Sequence, residues 1–354
     1  MTYAALPEPT AAALRSYIEE RLGRDVRLDP PPREIARGMR TDVYALGVVG
    51  EQLGTELSSG PSAEPSDELG TWSKPLVLRL IASDQPGSAI EHETAAYRFL
   101  HDLAYPVPEV LASESSGEVL GQPFAIMERA PGRSIQQMAI RNPMTAFRLA
   151  TAFADAHVAL HRLPVDGFPG RREDPSVERQ IGSYRGWLGE TEANRETFAW
   201  LEARKSAVLP EEPAVTHNNY IPANAVVDNK GRLQLIDWAG ADIGDRHGDV
   251  ADALVFMRTE PIREPDVLRS LARRIGRSVF VRRYLSRYRQ QYPLDMQRLR
   301  YWEALRAFAW RGTVSALLPT ALERHDITRD PYERQIVSLD QYLRRRQREF
   351  DAAT

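Results

Sequence analysis

The chain has 354 residues, 42% of them hydrophobic and 27% charged, with a formal net charge of −3 at pH 7. Such a chain can build two globular domains, and its near-neutral charge gives no general attraction to nucleic acid or an anionic membrane. It has no cysteine, which excludes disulfides, thiolate metal sites and cysteine nucleophiles, and no run approaches the roughly 20 apolar residues of a membrane span.

The opening segment, with Pro7, Glu19 and Glu20, lacks the basic start and apolar stretch of a signal peptide, so a cytoplasmic protein with a small-molecule partner is expected. From Thr10 to Leu22 the apolar residues Leu14, Ile18 and Leu22 recur four apart, which predicts an amphipathic helix, ended by Pro30, Pro31 and Pro32. Ile35 to Leu46 reads as a strand, turn and strand. Gly50 to Gly70 is polar, acidic and rich in Ser, Gly and Pro, so residues 50–73 are expected to form a flexible loop. Leu76 to Ile81 is an apolar strand interrupted by one cation, Arg79. Ala89 to Asp102 is a predicted helix, with Glu91 and Glu93 near its start where negative charge suits the dipole. Pro123 to Met127 is another strand, and it runs into a hinge at Glu128-Arg129-Ala130-Pro131-Gly132. Beyond that hinge, helical patterns cover Met144 to Leu163, Pro175 to Ser206 and most of the chain after Ala251. The basic runs Arg273 to Arg277 and Arg344 to Arg348 read as solvated helix faces. An α+β fold follows, with one domain over residues 1–131 and a mainly helical one over 132–354.

The segment richest in chemistry is Thr216-His-Asn-Asn-Tyr-Ile-Pro-Ala-Asn224, followed by two short strands around the turn Asn229-Lys230-Gly231 and then Ile236-Asp237-Trp238. A tight hairpin brings Asn224 and Asp237 together, and an amide oxygen beside a carboxylate is the hard-oxygen donor set that magnesium prefers. Each residue alone has an ordinary explanation, since Asn and Asp cap turns and a lone Arg in an apolar strand commonly marks a sheet edge. Their order along the chain is what singles them out.

In that order they resemble the aminoglycoside phosphotransferase and choline kinase-like family, relatives of the protein kinases, from about Arg37 to Asp249. The family's catalytic loop reads H-x-D-x-x-x-x-N before a strand ending I-D; here the matching residues are His217, Asn219, Asn224, Ile236 and Asp237. Ile243 to Ala251 resembles the family's G-D-P-x-x-D-L-A stretch, with Asp249 as its last aspartate and Arg246 in place of the proline. The resemblance implies a protein kinase-like two-lobed fold, an N-terminal antiparallel sheet lobe plus a larger helical lobe, with ATP and Mg2+ in the cleft. It implies that Gly38 and Thr41 belong to the hairpin covering the nucleotide. Arg79 would meet its phosphates with Glu93, or else Glu91, as carboxylate partner, and the backbone of Met127, Glu128 and Arg129 would read the adenine edge. Asn224 and Asp237 would hold the metal, and His217 would hold the loop beside Asn219. His161 and Asp249 would be structural. The acceptor site would come from the helical regions between Gly167 and Ala207 and after Arg258, whose arginines favour a neutral or anionic acceptor.

One position departs from the pattern. The family's aspartate takes the proton of the acceptor hydroxyl, and Asn219 stands in its place. Asn219 can orient a hydroxyl but cannot accept its proton, which forfeits a factor of about 10² to 10⁴ unless another carboxylate such as Asp242 or Asp245 reaches the acceptor. Three readings follow. The leading one is a phosphotransferase for a hydroxyl of an antibiotic or metabolite. The others are an ATP-binding pseudokinase that works through protein partners, and a transferase that moves a nucleotidyl group and releases pyrophosphate.

Overall fold

The computed structural model describes residues 4–37, 41–50, 67–82, 86–171, 174–261, 266–324 and 329–353, which fall into two units, Met1–Ala130 and Pro131–Thr354. The first unit opens with α1 (Glu8–Leu22), which ends at Gly23, whose φ of 64° makes a left-handed cap. Strands β1 (Val26–Leu28), β2 (Arg33–Arg37), β3 (Thr41–Leu46) and β4 (Val48–Gly50) follow. The remainder is α2 (Asp67–Trp72), β5 (Leu76–Ile81), α3 (Ser88–Asp102), β6 (Val110–Glu114) and β7 (Phe124–Glu128). Five strands form an antiparallel sheet in the order β2-β3-β5-β7-β6, and β1 pairs separately with β4.

β5 lies at the centre of that sheet, and all six of its residues are buried. Its period of two still operates. Leu76, Leu78 and Leu80 join the cluster that holds Leu14 and Ile18 of α1, whereas Ile81 packs with Ile90 of α3 and Ala125 of β7. Arg79 shares the second face, toward α3.

The loop expected over residues 50–73 ends earlier than predicted, because residues 67–72 are the helix α2. Trp72 explains this: its indole is 4% exposed and sits in the α1 cluster, so the segment has a core to fold against. Residues 51–66, and Gly38 of the predicted nucleotide-covering hairpin, lie outside the described residues.

The second unit contains β8 (Arg133–Ser134), α4 (Ile135–Arg141), α5 (Ala146–His161), α6 (Ser176–Leu188) and α7 (Glu192–Arg204), then β9 (Pro213–Thr216), β10 (Ala225–Val227), β11 (Leu233–Leu235) and β12 (Asp242–Asp245). Four helices complete it: α8 (Arg246–Thr259), α9 (Val267–Gln291), α10 (Met296–Arg324) and α11 (Asp330–Asp351). The single helical pattern read from Pro175 to Ser206 is two helices. Gly189, at φ 71°, ends α6, and the Asn194 amide donates to the Leu188 and Gly189 carbonyls at 3.3 and 3.2 Å. Short antiparallel pairs, β9 with β12 and β10 with β11 and β8, are set among the helices. The architecture is α+β, an antiparallel sheet unit followed by a larger, mainly helical one. Among the described residues no helix is long and apolar enough to cross a membrane.

Gly132 lets the chain enter the second unit. Its φ is 111°, and a Cβ there would lie 2.0 Å from the Val227 carbonyl oxygen. Gly132→Ala therefore combines backbone strain with a backbone collision and is expected to cost about 3 kcal/mol in urea-induced unfolding, against about 1 kcal/mol for Gly189→Ala, which has open space around it.

Candidate functional site

β9 delivers Thr216, and the chain then leaves the strand through two residues with special backbones. Asn218 has φ 56°, and beyond β11 Asp237 has φ 71°. Asn and Asp tolerate this left-handed region better than other residues with a Cβ. The Ile236 amide donates to the Asn224 carbonyl at 2.9 Å and so pins the end of β11 to the start of β10. Three side chains converge as a result. Asn219 Nδ2 donates to Asp237 Oδ2 at 2.7 Å, and Asn224 Nδ2 lies 3.5 Å from the same oxygen and donates to the Asn219 carbonyl at 3.0 Å. Neither amide oxygen accepts a hydrogen bond from a described residue. By type, this set of a carboxylate and two amide oxygens fits a hard divalent cation.

The loop rests on Asp249, fully buried in α8. Its Oδ2 accepts from the His217 backbone amide at 2.7 Å and from Nε2 of His157 and His161 at 3.1 and 3.2 Å. Its Oδ1 accepts from the Asn218 amide at 2.7 Å. These donors hold the carboxyl well below the usual carboxylate range despite its burial. An ionised Asp249 requires the proton of each imidazole on Nε2. Each Nδ1 then accepts, from the hydroxyls of Tyr284 and Tyr288 of α9 at 2.7 and 2.6 Å. Burial pushes His161 down and His157 down to about 3, so both rings are neutral. The three residues could chelate a metal by type, but each converging atom already has a hydrogen-bond partner.

Asn218, which no sequence argument had singled out, ties the loop to its surroundings. Its amide nitrogen donates to Thr216 Oγ1 at 3.1 Å and the Gly240 carbonyl at 2.9 Å, and its oxygen accepts from buried Arg306 of α10. His217 is fully buried, and its Nε2 bonds to the Ile236 carbonyl at 3.1 Å; burial lowers its pKa and keeps it neutral. Asp242 and Asp245, the candidate substitute bases, are both engaged. Asp242 pairs with Arg179 at 2.8 Å and accepts from the Arg171 and Ile243 amides, while Asp245 caps α8 through the His247 amide and bonds to the His247 ring.

In the first unit, Arg79 pairs with Glu93 of α3 at 3.0 Å, with both side chains buried. Glu91 turns away and accepts from the Ser115 hydroxyl at 2.6 Å. Thr41 opens β3 opposite Ile81. Met127 sits in β7, opposite Val77. The Glu128 amide donates to the Glu109 carbonyl and the Arg129 amide to the Pro75 carbonyl, each at 2.9 Å, and the Glu128 carboxylate pairs with Lys74. Those two N–H groups are therefore spent inside the unit. The next one, Ala130, makes no hydrogen bond to a described residue.

Residues 66–308 match the model of the phosphotransferase enzyme family. Among solved structures, the chain is similar to a Ralstonia eutropha protein assigned to the aminoglycoside phosphotransferases, at 16% identity over 95% of this chain and 98% of that one, with a TM-score of 0.62. A thermostable variant of aminoglycoside phosphotransferase APH(4)-Ia, in ternary complex with ADP and hygromycin B, matches at 15% identity over 94% and 98%, TM-score 0.60. A choline/ethanolamine kinase family protein from Mesorhizobium loti matches at 16% identity over 90% and 91%, TM-score 0.53. At these identities the likeness is one of fold.

The buried network makes acid the weak side of this protein. His157, His161 and His217 have folded pKa values below their unfolded ones, so the unfolded chain binds more protons as pH falls below about 6.5. Stability is full above that pH and declines beneath it by about 1.4 kcal/mol per pH unit for each imidazole held neutral. Urea unfolding between pH 7.5 and 5 should show this fall, with a net uptake of protons on unfolding at pH 5 that buried Asp252, pushed up to about 6, partly offsets. In His157→Gln the uptake should drop by one.

Proposed function

Because the chain belongs to the phosphotransferase enzyme family, we propose that it is an ATP-dependent phosphotransferase acting on a hydroxyl of a small molecule. The observation that carries this reading is the convergence of the Asn219 and Asn224 amides on one oxygen of Asp237, on a loop anchored from below by a buried charge. Asn224 and Asp237 hold magnesium through oxygen, and the ion, when bound, neutralises charge on the phosphate groups. Arg79 meets the phosphates, oriented by Glu93. A buried ion pair is a poor way to gain stability, because desolvation offsets the attraction, so its presence is better explained by a ligand that needs the cation. The Ala130 amide and the carbonyls near it read the adenine edge.

Asn219 accepts a hydrogen bond from the substrate's hydroxyl on its amide oxygen and so aims the hydroxyl oxygen at the terminal phosphorus. The new oxygen–phosphorus bond forms as the bond to the ADP oxygen breaks, and the hydroxyl proton leaves to a phosphoryl oxygen or to water. Positioning and charge neutralisation carry most of the catalysis in such a loose transition state, so turnover survives without a base, but slowly. One observation favours a second reading, an ATP-binding module with negligible turnover: Asn219 is neutral, and Asp242 and Asp245 are both committed to other partners.

Calorimetry with ATP, with and without magnesium, tests the nucleotide site. Magnesium-dependent binding is expected for the wild type, weakened at least tenfold in Asp237→Ala. The proposal fails if the wild type binds no nucleotide under either condition.

ATP turnover by Asn219→Asp tests the loop and separates the two readings. The variant is expected to gain about 10²- to 10⁴-fold. Binding without turnover in both the wild type and the variant would establish the second reading.

A further inference from the structure

A cavity of about 390 Å³ lies in the second unit among α4, α5, α8 and α9, and Asn219, Asn224 and Asp237 are not among its lining residues. Its walls are apolar, chiefly Ile135, Ile140, Phe256, Met257 and Phe280. Pro222 of the loop completes it, held in place by the Gln136 amide, which donates to the Pro222 carbonyl at 3.1 Å. The size is at the lower end of the roughly 300–1,000 Å³ typical of small-molecule pockets.

The polar groups of this cavity are few and unevenly matched. The Glu260 carboxylate accepts from Gln136 Nε2 at 2.5 Å. Arg277 of α9 donates through one terminal nitrogen to the Glu260 backbone carbonyl at 2.7 Å and has no other hydrogen bond or ion pair with a described residue. Its guanidinium is half-buried, and desolvation lowers its pKa. The Glu260 carboxylate opposes that shift and Arg274 adds to it, and the 25 residues of α9 include eight arginines and no carboxylate. The Nε and second terminal nitrogen of Arg277 form an edge that matches the two oxygens of a carboxylate. Arg273 and Arg277 against Glu260 leave one net positive charge on the lining, which suits a monoanion better than a phosphate dianion.

We propose that this cavity binds an amphipathic monocarboxylate, with its aliphatic body between Ile135 and Phe280 and its carboxylate on the open edge of Arg277. The proposal does not require the phosphotransfer reading, although the lining residues after Arg258 fall in the region expected to supply an acceptor site. Through Pro222 its occupant touches the segment that joins Asn219 to Asn224.

The test is calorimetry on the full-length protein with octanoate and with octan-1-ol, a neutral molecule of the same length. The wild type is expected to bind octanoate at least tenfold more tightly than octanol. Arg277→Gln should erase that preference while octanol still binds, which shows the cavity intact. Ala139→Phe, which fills the cavity, should weaken both ligands at least tenfold. Glu260→Gln removes the competing carboxylate and should tighten octanoate more than octanol, and it decides the matter if Arg277→Gln loses both ligands. The proposal is overturned if the wild type binds the two alike or shows no octanoate binding at about 1 mM. It is also overturned if Arg277→Gln keeps the preference, if Ala139→Phe leaves octanoate affinity unchanged, or if Glu260→Gln has no selective effect.

Discussion

A carboxylate with no solvent exposure must be surrounded by donors or give up its charge, and Asp249 is surrounded. Two of its donors are imidazoles one helical turn apart on α5, and two are consecutive backbone amides of the loop that follows β9. The imidazoles are in turn oriented by two tyrosines one turn apart on α9. Helix α5, helix α8, helix α9 and the loop are thus bonded, directly or through one ring, to a single buried charge. Removing any donor leaves that charge short of a partner in a low-dielectric interior. This is why the loop can hold Asn218 in a left-handed conformation and still present Asn219 and Asn224 at defined positions.

The substitution at 219 changes the electrostatics of the loop as well as its proton chemistry. Two carboxylates at the 2.7 Å separation seen between Asn219 and Asp237 would repel unless a proton or a cation lay between them. An amide donates instead, so the arrangement is self-satisfied and carries one negative charge rather than two.

Helix α9 serves two environments along its length. Tyr284 and Tyr288 enter the Asp249 network, while Phe280 and Arg277, one and two turns earlier, line the apolar cavity. Helix α5 is shared in the same way, with His157 and His161 at its C-terminal end in the network and Ala146 at its start in the cavity wall. Network and cavity are therefore built on the same two packed helices.

Much of this was legible from local chemistry. The apolar run Leu76–Ile81, the amphipathic spacing of α1 and the turn between β10 and β11 are short-range signals, and each element forms near where its residues predict. The Asn224 and Asp237 pairing was legible too, because a tight hairpin brings its own ends together. The predicted loop over 50–73 failed at its C-terminal end because Trp72 finds its partners in α1 and the sheet, far away in sequence. The long helical pattern after Pro175 split because one glycine with positive φ outweighs average propensity. His157, Asn218 and Arg306 were invisible for the same reason: their importance is a property of what lies across from them. Sequence by itself determined the elements, the family-like order of motifs and the amide at 219, because these depend on neighbours within a few residues. Tertiary structure alone decided that Glu93 rather than Glu91 meets Arg79, that Asp242 and Asp245 are committed elsewhere, and that Arg277 spends one terminal nitrogen on the Glu260 carbonyl. A side chain's partner is chosen by packing, and packing is not written in any one stretch of chain.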